Sequence, residues 1–226
     1  MLNVKFLYHS AFVIENDDLV VLIDAFRPVG IDRRGRRLYV LSSHFHQDHY
    51  DPWILSLGAT RYYLSSTIRR RIKGRDADLP VTYVSQNMRF DEDGFTLETF
   101  DSTDCGVSFV ITIGGRRIVH LGDDNDWDPS DEAMHRRFIA SLRKMPSPVD
   151  VALVPLDPHL GRDMCTGPVE VMRILHPDHV VPMHCWQDFD ASRQLEKSFA
   201  REGLDCSTIV HMAGDGQHVL SLQEVS

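Results

Sequence analysis

Three histidines and one aspartate fall within six residues, directly after a short apolar run, and this spacing constrains the fold more than any other feature. The apolar run covers residues 38–41, and the polar segment is His44-Phe45-His46-Gln47-Asp48-His49. A short apolar run that ends in a polar loop is typical of a buried strand. We therefore expect a strand that delivers these side chains to one edge of a sheet, where they can form half of a site for two metal ions.

The order of the four polar side chains divides them between two metals. His44 and His46 are two residues apart, so on an extended backbone their side chains point to the same side and can bind one ion. Asp48 and His49 follow after a turn and can reach a second ion beside the first. Imidazole and carboxylate ligands suit Zn, Mn or Fe rather than a thiolate-rich site. The sequence therefore predicts two divalent metal ions, Zn first, with Mn or Fe as the alternatives.

Length and composition predict one domain over residues 1–226. The chain has 226 residues and 42 % hydrophobic residues, which is enough for one substantial core. No stretch approaches the ~20 apolar residues that cross a bilayer, and the first residues lack the apolar segment of a secretory signal. We therefore expect a cytoplasmic protein without a membrane partner. The four cysteines form no CxxC pair and are expected to be reduced thiols, with Cys185 nearest the site.

Charge narrows the choice of partner. The net charge of −9 disfavours general nucleic-acid binding. Two arginine-rich segments, Arg27 with residues 33–37 and residues 69–75, could attract an anionic substrate, although a solvated charged face is the commoner explanation of such runs. We expect a small, anionic molecule as the substrate. Nucleic acid is the weaker alternative, and the formation of a homo-oligomer stays open.

Other polar residues follow strand-like runs, where sites on α/β scaffolds gather. Asp123 comes after residues 118–121 and Gly122, so its carboxylate can bridge two metals, whereas His184 comes after residues 180–183. Asp24 has few metal-capable neighbours, so we expect it to accept an N–H from a ligand histidine. Asp157 and His159 are candidates for substrate contact or proton transfer, and a rigid proline-flanked turn explains them equally well. His9 is a candidate for lining the pocket.

The remaining pattern predicts an α+β fold. Short strand-like runs dominate the first half, and Gly114-Gly115 indicates a hairpin. Asp-Pro pairs at residues 51–52 and 128–129 predict helix starts, and further helices are expected at about residues 168–175 and between Asp190 and Gly203. The second half alternates strands and helices. This order is typical of two sheets packed face to face with helices outside.

Taken together, these motifs resemble the metallo-β-lactamase superfamily, in the expected order and over nearly the whole chain. Residues 9–10, 102–104 and 182–184 further resemble a branch of Zn-dependent hydrolases that includes ascorbate-lactonase-like proteins. The resemblance implies a four-layer αββα sandwich and a hydroxide between two metals that attacks an ester, lactone, amide or phosphodiester. It implies these metal ligands: His44 and His46 on the first metal, Asp48, His49 and His184 on the second, and Asp123 as the bridge. Asp48, Asp157 and His159 are the candidate catalytic residues.

One departure from this family concerns the first metal. The family usually supplies a third histidine between the first motif and the bridging aspartate, but residues 50–119 contain no histidine. Residues 102–104 stand in its place. Asp104 is the best metal ligand among them, whereas a comparison without gaps sets Thr103 at the position of the histidine. If Asp104 substitutes, the site becomes harder and favours Mn or Fe; if nothing substitutes, the chain holds one metal.

The resemblance leaves other functions open. A nuclease or nucleotide phosphodiesterase of the same fold is one alternative, and it would need a basic path to the metals. A degenerate, non-catalytic metal-binding protein is another, because the third histidine is missing. Redox chemistry at a di-iron site would normally need a flavin domain, for which this length leaves no room.

Overall fold

Two β-sheets face each other in the computed structural model, which describes residues 1–72, 74 and 78–225. Within these residues, the first sheet contains β1 (Leu2–Tyr8), β2 (Ala11–Glu15), β3 (Leu19–Ile23), β4 (Arg37–Ser42), β5 (Arg61–Ser65), β6 (Val81–Val84) and β13 (His218–Leu222). The second sheet contains β7 (Arg89–Glu92), β8 (Phe95–Phe100), β9 (Ser108–Ile113), β10 (Arg116–His120), β11 (Val151–Pro155) and β12 (His179–Met183). The α-helices are α1 (Arg69–Ile72), α2 (Glu132–Leu142), α3 (Thr166–Leu175) and α4 (Ala191–Arg201).

Both sheets are mixed, and their parallel parts determine where the site forms. The first sheet has the order β13-β1-β2-β3-β4-β5-β6, in which β3 to β6 are parallel. The second has the order β12-β11-β10-β9-β8-β7, in which β10 to β12 are parallel. Parallel neighbours place their carboxyl ends at the same edge of a sheet. The polar residues that follow β3, β4, β10, β11 and β12 are therefore brought to shared edges.

The alternation of side chains along β3 shows how the first sheet is covered on two faces. Val21 and Ile23 belong to the large core between the sheets, whereas Val20 and Leu22 belong to a second core on the outer face. That outer core is closed by a 3₁₀ helix at Pro52–Leu57 and by α1, through Ile54 and Ile72. A strand buried on both faces needs a continuous apolar sequence, which explains the run of five apolar residues in β3.

Helices from the second half of the chain add the fourth layer. Phe138 of α2, Val171 of α3 and Leu195 of α4 are buried in the same core as the strands of the second sheet, and α3 packs on β11. The predicted αββα sandwich is therefore confirmed. Among the described helices, none has the length and apolar character needed to cross a bilayer.

Local helix starts differ from the sequence prediction in two places. The helix expected at Asp128 begins at Glu132, because Asp131 is the N-cap and accepts from the Ala133 amide at 2.8 Å. The Asp128 carboxylate instead accepts from Ser130 within a turn. Asp51 does cap a helix, through the Trp53 amide at 2.8 Å, but that helix is 3₁₀ rather than α. Three strands, β5, β7 and β13, were not predicted from the sequence.

A loop before β9 crosses the polar motif at very close range. The Val107 amide donates to the Ser43 carbonyl at 3.0 Å. Gly106 has φ +80°, and a Cβ there would lie 2.0 Å from that carbonyl oxygen and 2.6 Å from Cβ of His44. Only glycine allows this approach. The loop therefore fixes Asp104 and Cys105 against the first histidine of the motif.

We expect Gly106→Ala to destabilise the fold by more than ~1 kcal/mol, because it combines an unfavourable φ with a direct overlap of backbone atoms. The matched control is Gly58→Ala, which has φ +60° but open space around its Cβ position. Equilibrium urea unfolding of both variants separates the two effects. Equal losses in the two variants would contradict the close-approach explanation.

Candidate metal centre

The residues predicted from sequence as metal ligands meet between the two sheets. Within the described part of the chain, three overlapping groups place their possible ligand atoms within 4.8 Å of one another. One group contains His44, His46, Asp104 and Cys105; the second contains His9, Asp48, His49 and His184; the third contains His44, His49 and Asp123. All seven predicted ligands are therefore brought together, and His9 and Cys105 join them.

Asp123 occupies the middle of this arrangement. It is almost fully buried, at 6 % exposure. Its Oδ2 lies 3.2 Å from Nε2 of His44, and its Oδ1 lies 3.0 Å from Nε2 of His49 and 3.7 Å from Nε2 of His184. One carboxylate oxygen thus faces each side of the cluster, which is the arrangement that a bridging ligand requires.

The second position is surrounded by three imidazoles and one carboxylate. Asp48 Oδ2 lies 3.3 Å from Nε2 of His9 and 3.7 Å from Nε2 of His184, and 4.0 Å from Nε2 of His49. His9 had been expected only to line the pocket. It lies at the turn between β1 and β2 of the first sheet, and the amide of His184, which follows β12 of the second sheet, donates to the His9 carbonyl at 3.0 Å.

The first position is surrounded by two imidazoles, one carboxylate and one thiol. Nε2 of His44 lies 3.0 Å from Nδ1 of His46, and that Nδ1 lies 3.4 Å from Oδ2 of Asp104. Cys105 completes the group, although sequence reasoning placed Cys185 nearest the site and did not consider Cys105 as a ligand. The available signal was that Cys105 directly follows Asp104 in the segment that replaces the missing histidine.

Thr103 stands at the position of the missing histidine in a comparison without gaps, but its hydroxyl points toward Asn125. Its Oγ1 donates to the Asn125 carbonyl at 2.7 Å and lies 3.0 Å from the Asn125 amide. Its amide donates to the buried Asp124 carboxylate at 3.0 Å. Thr103 therefore anchors the loop to the segment after β10, and the next two residues, Asp104 and Cys105, face the first position.

Asp24 orients two of the ligand histidines from behind. It is fully buried and accepts from the Ser43 amide at 2.7 Å, the Ser43 hydroxyl at 2.6 Å and Nδ1 of His49 at 2.8 Å. Because the Ser43 hydroxyl donates to Asp24, it can accept from Nδ1 of His44, which lies 3.0 Å away. Both histidines then carry a proton on Nδ1, and each Nε2 faces Asp123, where it can bind a metal ion once it has lost its own proton.

Asp157 lies behind His184, although Nδ1 of His184 makes no hydrogen bond to the described residues. Its Oδ2 lies 3.1 Å from Nδ1 of His184 and accepts from Nε1 of Trp186 at 3.2 Å. Its Oδ1 accepts from the His159 amide at 2.8 Å, and the His159 imidazole is mostly exposed. The structure thus places Asp157 and His159, two of the three predicted catalytic residues, behind His184 and outside the ligand groups, whereas Asp48 belongs to the second group.

Buried atoms without hydrogen-bond partners mark the centre of the cluster. Nε2 of His49 and Oδ1 of Asp123 lie 3.0 Å apart, yet neither makes a hydrogen bond to any group in the described residues, and the same holds for Nε2 of His9. An unpaired buried polar atom costs about 1–3 kcal/mol. Divalent cations would satisfy these atoms, and the donor set of imidazole, carboxylate and thiol suits such ions. The residues therefore fit the metal centre that their sequence predicted.

Charge in the cluster is balanced by protons on the imidazoles. Burial alone would lower the pKa of His49, but Asp123 and Asp24 outweigh it and raise the pKa to about 10. For His184, Asp157 and Asp48 outweigh burial and raise the pKa to about 9. Despite their own burial, the pKa values of Asp48 and Asp123 lie well below the usual range, because these imidazoles face them. Binding of metal cations would therefore release protons from the imidazoles.

The backbone is strained at the residues that form the site. His9, Asp24 and His184 have φ values of 50°, 48° and 61°, in the left-handed region that non-glycine residues seldom occupy. Trp186 also lies there, at φ 55°. Such strain persists only where surrounding contacts fix it, and it is concentrated at functional sites.

Two cavities flank the cluster and differ in character. The cavity on the side of the second position, here called the aromatic cavity, has a volume of about 460 Å³, and half of its lining residues carry aromatic rings. It is lined by Phe6, Tyr8, His9, Phe26, Arg27, Gln47, Asp48, Cys185, Trp186, Gln187, Phe189 and Asp215. The cavity on the side of the first position, about 590 Å³, includes His46 and Arg71. The guanidinium of Arg71 lies 4.8 Å from the centre of the Phe45 ring.

In the first arginine-rich segment, Arg27 lines the cavity beside the second position, whereas the arginines at residues 33–37 line neither cavity. Arg36 pairs with Glu15 at 2.8 Å, Arg37 with Asp93 at 2.6 Å, and Arg34 with Asp32 at 2.7 Å. These contacts agree with a solvated charged face. In the second segment, Lys73 and Arg75 lie outside the described residues.

Comparison with protein families gives one match that covers most of the chain. The family model described as the beta-lactamase superfamily domain matches residues 3–184. A protein of Heliobacterium modesticaldum that is named a metal-dependent hydrolase is 28% identical over 225 residues, which covers 89% of this chain and 89% of that protein. A protein of Pyrococcus abyssi is 26% identical over 190 residues, covering 78% of this chain and 80% of the relative.

Solved structures of the same fold carry different chemistries. A metallo hydrolase of Ignicoccus hospitalis superposes with a TM-score of 0.70 at 17% identity, covering 98% of this chain and 99% of its own. A diiron beta-hydroxylase of Streptomyces venezuelae has a TM-score of 0.65 at 14% identity, covering 92% of this chain and 52% of its own. At these identities the likeness concerns the fold alone, so the chemistry of this chain must be argued from its own residues.

We expect Asp24→Asn to weaken metal binding by about 10–100-fold, because the amide cannot hold His49 and Ser43 as the carboxylate does. Competition of the bound metal against a chromophoric chelator measures this change. The matched control is Asp126→Asn, since Asp126 is also fully buried and lies 2.7 Å from Nδ1 of His135, outside the ligand groups. Equal weakening in both variants would indicate a general loss of stability.

Proposed function

Since the chain belongs to the beta-lactamase superfamily and is a metal-dependent hydrolase of that fold, we propose that it hydrolyses an ester, lactone or phosphodiester bond of a small substrate. The observation that carries this proposal is the convergence of the buried, unpaired atoms of His49 and Asp123 on one point. That point adjoins a cavity through Asp48, which belongs to the second ligand group and also lines the aromatic cavity.

Two divalent ions are proposed to occupy the cluster. His44, His46 and Asp104 would hold the first, His49, His184 and Asp48 the second, and Asp123 would contact both. Bound there, such ions supply an activated water and stabilise the negative charge that develops on the substrate. Zn is the first expectation and Mn or Fe are the alternatives.

The protein's own residues position the reactants around this point. The pKa of Asp48 is held low, so its carboxylate stays ionised and can orient a water by accepting a hydrogen bond. Burial lowers the pKa of His9, so its imidazole is neutral at neutral pH and presents an unpaired Nε2 beside Asp48. Asp157, supported by His159, acts in this proposal through the orientation of His184.

The lining of the aromatic cavity supports a substrate with an apolar group. Phe6, Tyr8, Phe26 and Phe189 surround space that is large enough for one aromatic ring or a short acyl chain. Arg27 also lines this cavity, but it pairs with Asp215 at 2.6 Å and stacks on Tyr8 at 4.0 Å. The cation of this cavity is therefore already neutralised, and the apolar group of the substrate would bind here.

The cavity on the side of the first position supports the proposal that the substrate also carries an anionic group. Arg70 and Arg71 lie beside Phe45, and Arg71 shares its cavity with His46. A carboxylate or phosphate placed there would lie beside the first metal position. This favours a small phosphodiester over a long nucleic acid, because the arginines at residues 33–37 are engaged elsewhere. Nuclease activity and a non-catalytic metal-binding role remain the alternatives that the following experiments test.

His184→Ala should reduce hydrolysis by a metal-loaded protein at least ~1000-fold, since it removes a ligand and the group that Asp157 orients. The assay uses a panel of aryl esters, lactones and bis-aryl phosphodiesters, with and without a chelator. His218→Ala is the control, because His218 is exposed on β13. Undiminished hydrolysis in His184→Ala would contradict the proposal, and absence of any hydrolysis in the native protein would favour the non-catalytic alternative.

Phe26→Ala should raise KM for an aryl ester by about tenfold, because loss of one ring contact costs roughly 1.5 kcal/mol. KM for the corresponding methyl ester should change little. Phe26 lines the aromatic cavity and packs on Tyr8 with 4.9 Å between ring centres. Phe90→Ala serves as the control, because that partly buried ring packs on Tyr63 on the other side of the motif. A parallel change for both esters would place the apolar group of the substrate elsewhere.

A further inference from the structure

The segment that replaces the missing histidine offers two metal-binding side chains instead of one. Thr103 is tied to Asn125 through its hydroxyl, and Gly106 presses the following backbone onto Ser43 and His44. Between these two anchors lie Asp104 and Cys105, and both belong to the ligand group around the first position. The loop is therefore held at both ends, and the two residues between these ends offer a carboxylate and a thiol as possible metal ligands.

We propose that Cys105 binds the first metal ion as a thiolate, together with His44, His46 and Asp104, so that the Asp104-Cys105 pair takes the place of the family's third histidine. This inference rests on the proposed function, because it assumes that the cluster holds metal. It changes the chemical character of the first position, from the harder site expected with Asp104 alone to a mixed site with one soft ligand.

The donor set supports this assignment. Two imidazoles, one carboxylate and one thiolate give four donors, which matches the tetrahedral coordination that Zn prefers. Thiolate favours Zn, Fe or Co over Mn and Mg. The buried Asp123, whose Oδ2 is 3.2 Å from Nε2 of His44, can add the bridging contact. The first position can thus be complete without the third histidine.

Geometry, more than the presence of a cysteine, carries the inference. The ligand atoms of His44, His46, Asp104 and Cys105 all lie within 4.8 Å of one another. The close approach at Gly106, where a Cβ would overlap the Ser43 carbonyl and His44, has the effect of holding the thiol there. Beside the group, Oδ2 of the buried Asp123 lies 3.2 Å from Nε2 of His44, so a further carboxylate oxygen faces the first position.

Binding changes the protonation of the thiol without any redox step. The S–H bond breaks heterolytically, the electron pair stays on sulfur and forms the bond to the metal, and the proton passes to solvent. Without a cation, burial and the neighbouring carboxylates of Asp104 and Asp123 raise the pKa of the Cys105 thiol to about 12. A divalent cation reverses that balance, because it favours the thiolate more strongly than the carboxylates oppose it.

The test replaces the native metal with Co²⁺, whose thiolate bonds produce a charge-transfer band in the near ultraviolet. Protein freed of metal by a chelator is titrated with Co²⁺ without oxygen, and the band and the bound cobalt are measured together. We expect the band in the native protein and its loss in Cys105→Ser, with cobalt still bound at the second position. In parallel, the X-ray absorption spectrum of the bound cobalt should show sulfur among its ligands in the native protein and none in Cys105→Ser.

Two other cysteines provide controls. Cys206→Ser changes a partly exposed thiol whose Sγ contacts the Glu196 carbonyl, so it should keep the band. Cys185→Ser changes a buried thiol that lines the aromatic cavity, and it should also keep the band. Loss of the band in Cys185→Ser but not in Cys105→Ser would overturn the inference by moving the thiolate to the other position.

The outcomes also separate this inference from the proposed function. Two cobalt ions bound without a charge-transfer band would refute thiolate ligation and leave the hydrolase proposal standing. No cobalt bound to the native protein would refute both. If Cys105→Ser fails to fold, the X-ray absorption spectrum of cobalt bound to the native protein still decides the question, because a spectrum without sulfur among the cobalt ligands contradicts ligation.

Discussion

The buried carboxylate of Asp24 is the interaction on which the rest of the site depends. It accepts three hydrogen bonds, from the amide and hydroxyl of Ser43 and from His49, and through Ser43 it also determines the tautomer of His44. One charge at the end of β3 thus aligns the lone pairs of two histidines that follow β4. The parallel pairing of these strands places Asp24 directly behind the motif. An ionised group without hydrogen bonds could not remain at zero exposure.

Much of the fold could be predicted from the sequence, because its strands are apolar on both faces and end in polar residues. Predictions failed where the pattern is weak. β7, with the sequence Arg-Phe-Asp-Glu, has few apolar residues, and β13 lies at a sheet edge. The helix expected at Asp128 begins three residues after the predicted first residue, because two aspartates compete as caps and the structure uses Asp131. Neither the position of β13 at the sheet edge nor the use of Asp131 as the cap is determined by the neighbouring residues in the sequence alone.

The sequence predicted those ligands of the candidate site that directly follow the end of a buried strand. The motif at residues 44–49, Asp123 and His184 follow buried strands, and periodicity reveals such positions. His9 and Cys105 could not be found in this way, because they lie in a turn and a loop whose positions depend on tertiary contacts. Gly106 is an example, because the need for glycine at this position arises from contact with the backbone of Ser43, which is far away in the sequence.

The left-handed backbone at His9, Asp24 and His184 has a consequence for how this sequence can change over time. Each such residue costs of order 1–3 kcal/mol relative to relaxed backbone, and glycine at any of the three would remove that strain. Glycine would, however, remove the side chain together with the strain, and at Asp24 it would leave Ser43 and His49 without their buried acceptor. At these three positions a relaxed backbone and an intact site therefore cannot both be obtained by a single substitution.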